Sequence, residues 1–530
     1  MPPRLTLLAA MLMSSLVHAQ SSSGSAGQNL GQSRAYRNSG DAPYGGEIGL
    51  RASETYSDNI TRQATQTRSD WVTEVSPYIN YHGRGARSQS VLNARLQNWL
   101  HSDSQTGNST NLQLNAATSL EAYEDHFFID AGLINDRQRV SQFSAADASY
   151  GGTSNSTQVT RFSVSPYLLW HAGPAADASL RYHYEKVHSD ASFASGSNES
   201  AAFDIHNTAS TQRLGWALNA SHYSVDSESS NAGTTNSYSG SLLYGLTPAL
   251  LASLSGGQEF ENFQTGQRQH SWNWGAGLRW QPDERTTISA QTSKRFFGRG
   301  FNYLLSERFE RSALEWSYSR ELSTASSTAS LGQNKTLTDS SVSRFIAEYN
   351  AESAALESSI PDKVERDRVV KQHLAARGIS VFDLQQLDYL SGQASINRNM
   401  RVAWVLYGVR NSLTISGHKS EREAVTQQQV IQIQDDLTTH QSVKERGWDA
   451  SWRHDLTSLT SLSMRYAFTD VSGVATNGRL DASRTNSVGL YLDTSLAPYT
   501  TGGMTFNHSR STGSAEYTEN AVAVYLNHRF

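Results

Sequence analysis

The stretch Asn520-Ala-Val-Ala-Val-Tyr-Leu-Asn-His-Arg-Phe530 alternates two kinds of residue with period two. Val522, Val524, Leu526 and Phe530 share one parity, broken by His528; Ala521, Ala523, Tyr525, Asn527 and Arg529 share the other. That spacing describes a strand with one apolar face and one small or polar face. The same two-faced run recurs upstream. Trp71, Val75, Ile79 and Tyr81 stand against Glu74, Ser76, Asn80 and His82; Leu92, Ala94, Leu96 and Leu100 against Asn93, Arg95 and Gln97. Leu112, Leu114, Ala116 and Leu120 oppose Gln113, Asn115, Ser119 and Glu121, and Trp272, Trp274, Ala276, Leu278 and Trp280 oppose Asn273, Gly275, Gly277 and Arg279. Leu462–Phe468 and Val488–Leu492 repeat the pattern.

From Glu47 onward roughly 22 such runs follow one another, with about 18 to 24 allowed by boundary error. An open sheet of that size leaves unpaired edges, so the expected fold is all-β: a transmembrane antiparallel β-barrel over 47–530, closed on itself. Composition agrees. Only 37% of the 530 residues are hydrophobic, mean hydropathy is −0.53, and no stretch reaches the ~18 apolar residues of a spanning helix. Barrel strands need only alternate apolar residues, so low hydropathy is compatible with a membrane. The breaks alternate between short (Gly83–Ser88, Glu124–His126, Ala172–Ala176, Leu246–Pro248, Gln281–Arg285, Ala497–Tyr499) and long. The long ones are Thr61–Ser69, Ser141–Thr157, Ser189–Ala202, Asp226–Thr235, His418–Val443 and Asp470–Ser483. Short periplasmic turns and long extracellular loops give this alternation, with an even strand number. Tyr81, Trp170, Tyr244 and Trp280 precede short turns on the apolar parity, as an interfacial aromatic girdle requires. Val75-Ser-Pro-Tyr78 recurs as Val164-Ser-Pro-Tyr167, and a bulge or kink is expected at Pro77 and Pro166, because proline cannot donate to a ladder.

The chain's two ends resemble those of outer-membrane β-barrels of Gram-negative bacteria. Met1–Ala19 carries Arg4, an apolar run from Leu5 to Val17 and Val17-His18-Ala19 before Gln20, and reads as a signal peptide (1–19). Gln20–Gly46 is rich in Ser, Gly, Gln and Asn and reads as a flexible periplasmic segment (20–46). The resemblance implies that Phe530 is an assembly signal for the barrel-assembly machinery, and that outer-membrane lipid and lipopolysaccharide surround the chain.

One segment breaks the parity. Within Ser323–Gly392, Phe345, Ile346 and Tyr349 have helical spacing, Pro361 fits a helix start and Gly378 a stop, and Val381, Phe382 and Leu384 extend the apolar surface. This helical insert (323–392) reads as a plug in the lumen, a cap at the mouth or a long surface loop. Nine arginines, Arg95, Arg161, Arg181, Arg213, Arg279, Arg295, Arg401, Arg453 and Arg465, fall on the lumen parity. They form a candidate path for an anionic polymer. Equally, charge on the lipid face costs ~2–4 kcal/mol at the midplane, which alone turns strand charges inward, and Glu74, Glu121, Asp130, Glu185, Glu315 and Asp493 share that parity.

Zero cysteines removes disulfides and thiolate chemistry. The 16 histidines are scattered and no hydrolase, metalloprotease or phosphate-loop motif occurs, so no catalytic, cofactor or metal site is expected and the chain reads as a non-enzyme. A net charge of −5 gives no footprint for nucleic acid.

Shorter motifs resemble one family, the outer-membrane barrels associated with exosortase/PEP-CTERM systems and exopolysaccharide clusters. They are Glu54-Thr-Tyr-Ser-Asp-Asn59, Val75-Ser-Pro-Tyr78 with Gly83-Arg-Gly-Ala86, Arg213-Leu-Gly-Trp216, Ile360-Pro-Asp-Lys-Val-Glu-Arg366, and Gly408-Val-Arg-Asn411 before Leu413-Thr-Ile-Ser416. The resemblance implies a channel for export or assembly of a surface exopolysaccharide, with the polysaccharide and periplasmic export components as partners. A general diffusion or sugar-uptake porin is the alternative, and a non-transporting structural protein the second. Should the insert occlude the lumen, its removal is expected to raise single-channel conductance in planar bilayers while the barrel stays folded and heat-modifiable. Unchanged conductance with intact folding leaves a surface cap.

Overall fold

The computed structural model describes residues 44–530 apart from 104, 147–149, 151–154, 172–175, 192–194, 208–213, 228–229, 264–266, 284, 310, 324–393 and 426–434. The proposed leader (1–19), most of the lead-in and nearly all of the insert, including Phe345, Ile346, Tyr349, Val381, Phe382 and Leu384, therefore lie outside the described residues.

Alternating polarity becomes 22 strands. They are β1 (Tyr44–Ser57), β2 (Asp70–Arg84), β3 (Ser88–His101), β4 (Ser109–Tyr123), β5 (Phe127–Arg139), β6 (Ser156–His171), β7 (Asp177–Ser189) and β8 (Gly196–His206). Next come β9 (Leu214–Ser227), β10 (Ser230–Thr247), β11 (Leu250–Glu261), β12 (Gln269–Trp280), β13 (Thr286–Arg295), β14 (Gly298–Arg308) and β15 (Ser312–Ser323). The remainder are β16 (Ser395–Tyr407), β17 (Asn411–Ala424), β18 (His440–Asp455), β19 (Thr460–Ala475), β20 (Leu480–Ala497), β21 (Thr500–Gly513) and β22 (Tyr517–Arg529). One turn of helix, α1 (Asp436–Thr439), precedes β18. Each strand pairs antiparallel with the next, and β22 pairs with β1 from Gly49↔Arg529 to Ser57↔Ala521. The barrel is closed.

The register sorts every side chain. Apolar residues on one parity face outward and are exposed, among them Leu254 (66%), Trp272 (65%) and Val524 (55%), whereas Asp130, Ser165 and Glu259 on the other parity are buried inside. Trp170, Tyr244 and Trp280 are exposed on the outward parity at periplasmic strand ends. Among the described residues no helix is long and apolar enough to cross a membrane; crossing is by strands, an apolar band outside and polar groups inside, the build of an outer-membrane barrel.

Three details differ from the sequence reading. First, β1 begins at Tyr44 and pairs with β2 from Tyr44↔Gly83, so the lead-in ends earlier than Gly46; Gly45 and Gly46 carry no side chain that could mark a parity. Second, no bulge sits at Pro77 or Pro166. The β2–β3 register is the same on both sides of Pro77, as β6–β7 is around Pro166, with only the Ser76–Pro77 and Ser165–Pro166 partners missing. Beside the first gap the Asn98 amide donates to the Val75 carbonyl (2.8 Å). Third, several long loops are shorter than expected: β9 and β10 run to Ser227 and from Ser230, and β19 and β20 to Ala475 and from Leu480. Above the lipid a paired strand needs no apolar parity, so the ladder outlasts the pattern that betrays it.

Leu490 is 40% exposed on the outer face, whereas the next side chain, Tyr491, donates to Asn507 Oδ1 (3.1 Å) inside. Leu490→Arg is expected to destabilise assembly by ~2–4 kcal/mol at the midplane, and Tyr491→Arg by clearly less. Equal folded yields of the two variants, read by heat-modifiable migration, contradict the register.

Candidate functional site

The lumen has two unlike sectors. Around β1–β7 and β20–β22 long side chains pair across strands. Arg95 on β3 bonds to Glu74 on β2; Arg181 on β7 reaches Asp130 on β5 (3.0 Å) and lies over the Tyr167 ring (4.0 Å). Arg161 stands 3.6 Å from Glu185, and Arg51 lies 4.4 Å from the Tyr525 ring, whose hydroxyl bonds to Asp493. Tyr78 donates to Glu47 (3.0 Å). Along β10–β14 most mid-strand inward positions are short and neutral: Ser239 faces Gly257 and Gly257 faces Asn273, Ser241 faces Ser255 and Ser255 faces Gly275, and Gln291 faces Gly277 on one side and Asn302 on the other. Arg295 and Glu259 form an ion pair in that sector.

Eight of the nine sequence-picked arginines stand on the inward parity; Arg213 lies outside the described residues. The structure does not gather them into one row. Arg95, Arg161, Arg181 and Arg295 face carboxylates on other strands, and Arg453 bonds to Asp455 (3.2 Å). Arg401 and Arg465 are exposed within the lumen, and Arg279 shares their parity. Phe530 is 77% exposed; its N–H donates to the Ile48 carbonyl (2.8 Å).

A feature that parity does not reveal closes over the extracellular mouth. The β4–β5 ladder stops at Leu114↔Asn135, and above it β5 leaves its neighbour. The segment that follows is tied into a compact unit. Arg139 donates to the carbonyls of Ser141 (2.7 Å), Gln142 (3.0 Å) and Ser144 (2.6 Å); Asn155 donates to those of Ser141 (2.8 Å), Ala145 (3.0 Å) and Ser144 (3.2 Å). With these carbonyls satisfied within the segment, it can leave the wall.

This strap holds two distant walls. Ser141 Oγ and the Gln142 N–H donate to the Asp436 carboxylate (2.7 and 2.6 Å), and Phe143 stacks on His440 (centroids 4.3 Å apart). Phe143 packs with Leu437, Val443 and Val471. Gly473 makes room for it: a Cβ there would lie 2.8 Å from Phe143 Cζ. These partners belong to α1, β18 and β19, roughly half-way round the ring from β5 and β6. On the second wall Tyr150 packs with Ile60, Val72, Trp99 and Ala521, and its hydroxyl bonds to Glu519. Glu519 also accepts from Ser57 Oγ (2.6 Å) and Arg62 Nε (2.7 Å), while Arg62 donates to the Ala146 carbonyl (2.7 Å). Burial, then the Glu519 charge, push the Tyr150 phenol well above its ordinary range, so it stays protonated as the donor; burial likewise raises Asp436. The sequence signals were Phe143 and Tyr150, two aromatics in an otherwise polar loop, and the capping box of Asp435 with Thr438 that fixes α1.

Among the described residues no cluster of His, Asp or Glu could hold a metal ion. What the described residues offer is a polar lining, with several charges paired across strands, and a braced mouth. No family model matches the sequence, and a search of curated proteins finds no match. Among solved structures the chain is similar to the FrpB iron transporter from Neisseria meningitidis (F5-1 variant), with 10% identity, 91% of this chain and 82% of that chain covered, and a TM-score of 0.48. It is also similar to the siderophore receptor PirA from Acinetobacter baumannii (8% identity, 91% and 80% covered, TM-score 0.43) and to Pseudomonas aeruginosa OprD (10% identity, 92% and 95% covered, TM-score 0.33). Likeness at this level identifies no cargo, and the barrel architecture rests on the strand register itself.

Proposed function

We propose that this barrel is an outer-membrane channel for the export or assembly of a surface exopolysaccharide. The observation that carries the reading is the lining. Short hydroxyl and amide side chains on β10–β14 keep one side of the bore wide and offer hydrogen bonds that a hydrated, hydroxyl-rich chain can exchange for water. Opposite them Arg95, Arg161 and Arg181 stand against carboxylates rather than being left for a ligand. A polymer of sugars can slide along such a wall without meeting a deep electrostatic trap, since conduction needs binding weak enough to release. The family motifs of the sequence support the same cargo.

Deleting the gene is expected to abolish or sharply lower surface polysaccharide while other outer-membrane proteins persist; unchanged secretion overturns the export role. Liposomes carrying the full chain are expected to swell slowly in small neutral sugars, and rapid swelling marks a diffusion porin instead. The strap supplies a second test. Phe143→Ala combined with Asp436→Ala removes one anchor outside the membrane band, and a severalfold rise in single-channel conductance is expected from a barrel that remains heat-modifiable. Conductance equal to the parent protein's shows that the strap does not limit passage.

A further inference from the structure

The outer face carries a second pattern. Above the apolar band, from β13 to β21, cations stand on the outward parity and meet as neighbours across the ladder. Lys294 is paired with Arg299, Lys419 with Arg446, and Glu421 with both Arg398 and Lys444. Asp470 is paired with Arg446 on one side and Arg484 on the other, and Arg510 follows opposite Asn486. The level is set by the strands themselves: Arg299, Arg398 and Arg446 lie two residues beyond the outward apolar residues Phe301, Met400 and Trp448.

Two carboxylates in this belt, Asp470 and Glu421, are tucked in and shared, and Glu423 on β17 stands on the same parity. Asp470 bonds to Arg446 (2.9 Å) and Arg484 (3.4 Å); Glu421 bonds to Arg398 (3.2 Å) and Lys444 (2.9 Å). The side chains of Asp470 and Glu421 are only 11% and 16% exposed, against 69% for Arg446, 58% for Arg484 and 55% for Lys444. Each acid thus fixes the spacing of two cations and cancels only one of their charges, leaving outward donors and a net positive face. On β7–β10 the outward positions above the band include Lys186, Glu199, His222 and Asn236, with no such excess.

We infer that the upper outer face of β13–β21 binds the phosphate groups of the outer-leaflet lipid headgroup. Outward parity faces the membrane and not the bore, so a polymer in transit does not meet these cations. Their place just beyond Phe301, Met400 and Trp448 is the headgroup level, where the anions available in quantity are lipid phosphates. Arginine forks pair with phosphate bidentately, and lysine adds a point charge. The inference does not depend on what the channel carries.

The test uses the purified full-length barrel in detergent, with bisphosphorylated lipid A as probe and retained lipid counted by native mass spectrometry. Lys444→Gln with Arg446→Gln and Arg484→Gln is expected to lower retention severalfold, whereas Lys186→Gln on the opposite side leaves it unchanged. Dephosphorylated lipid A should bind the parent protein as weakly as bisphosphorylated lipid A binds the triple variant. Inorganic phosphate should displace little, which separates a headgroup site from a free-anion site; full displacement by equimolar phosphate overturns the lipid assignment. Retention that ignores the triple substitution, or the loss of phosphate, overturns the belt. Should the triple variant fail to fold, Lys419→Gln and a salt titration of the parent protein serve, because charge-driven binding at exposed sites weakens as salt rises; salt-insensitive retention refutes it.

Discussion

In hydrocarbon no water is present to satisfy a backbone N–H or C=O, and each orphaned group costs several kcal/mol. The pairing of β1 with β22 is therefore the contact on which the rest depends. Once Gly49–Ser57 is zipped to Ala521–Arg529, no strand has a free edge at membrane depth, and each side chain must face lipid or lumen. The apolar outside, the polar inside and the even strand number follow from that seam, as does the placement of every irregularity. Register shifts fall near strand ends, at Glu121/Tyr123, Gly245/Thr247 and Ser495/Ala497, where water or headgroups can replace a lost ladder bond.

Charge obeys the same geometry differently at different heights. At membrane depth the strand carboxylates and guanidiniums sit inside and hold one another, as Glu74 and Arg95 do. Above the band the restriction lapses, and Arg446, Asp470 and Arg484 occupy the outward parity that leucines and tryptophans hold below. Height also separates rigid wall from braced mouth: the strap departs only where β5 has parted from β4.

The membrane-embedded part of this architecture was legible because lipid enforces it residue by residue. The runs at Trp71–Tyr81, Trp272–Trp280 and Asn520–Phe530 announce strand and facing together. Elsewhere the signal fades for a physical reason. At the tops of β9, β10, β19 and β20 polar and apolar residues mix on both parities, so no period-two contrast distinguishes them from loop. Pro77 suggests a bulge or kink in sequence, yet it needs only one missing donor and no extra residue. In sequence the strap looks like a plain loop, because its anchors, Asp436 and Glu519, lie far from Ser141 and Tyr150 along the chain, and parity carries no information about a contact across the bore. The inward arginines look alike in sequence; only coordinates distinguish Arg181, held by Asp130, from Arg401, exposed in the bore.

The lumen pairs also bear on how such a barrel can change size over evolutionary time. Barrels grow and shrink by whole hairpins, yet Arg181 on β7 is matched to Asp130 on β5, and Arg295 on β13 to Glu259 on β11, each skipping a strand. Loss of the β5–β6 hairpin would strand Arg181 without its counter-ion, and loss of β11–β12 would do the same to Arg295, a larger penalty than removing both partners together. Descendants with fewer strands would have to lose or repair both halves of such a pair. The wall is thus a ring of overlapping units, and strand number is inherited along with the ion pairs that cross it.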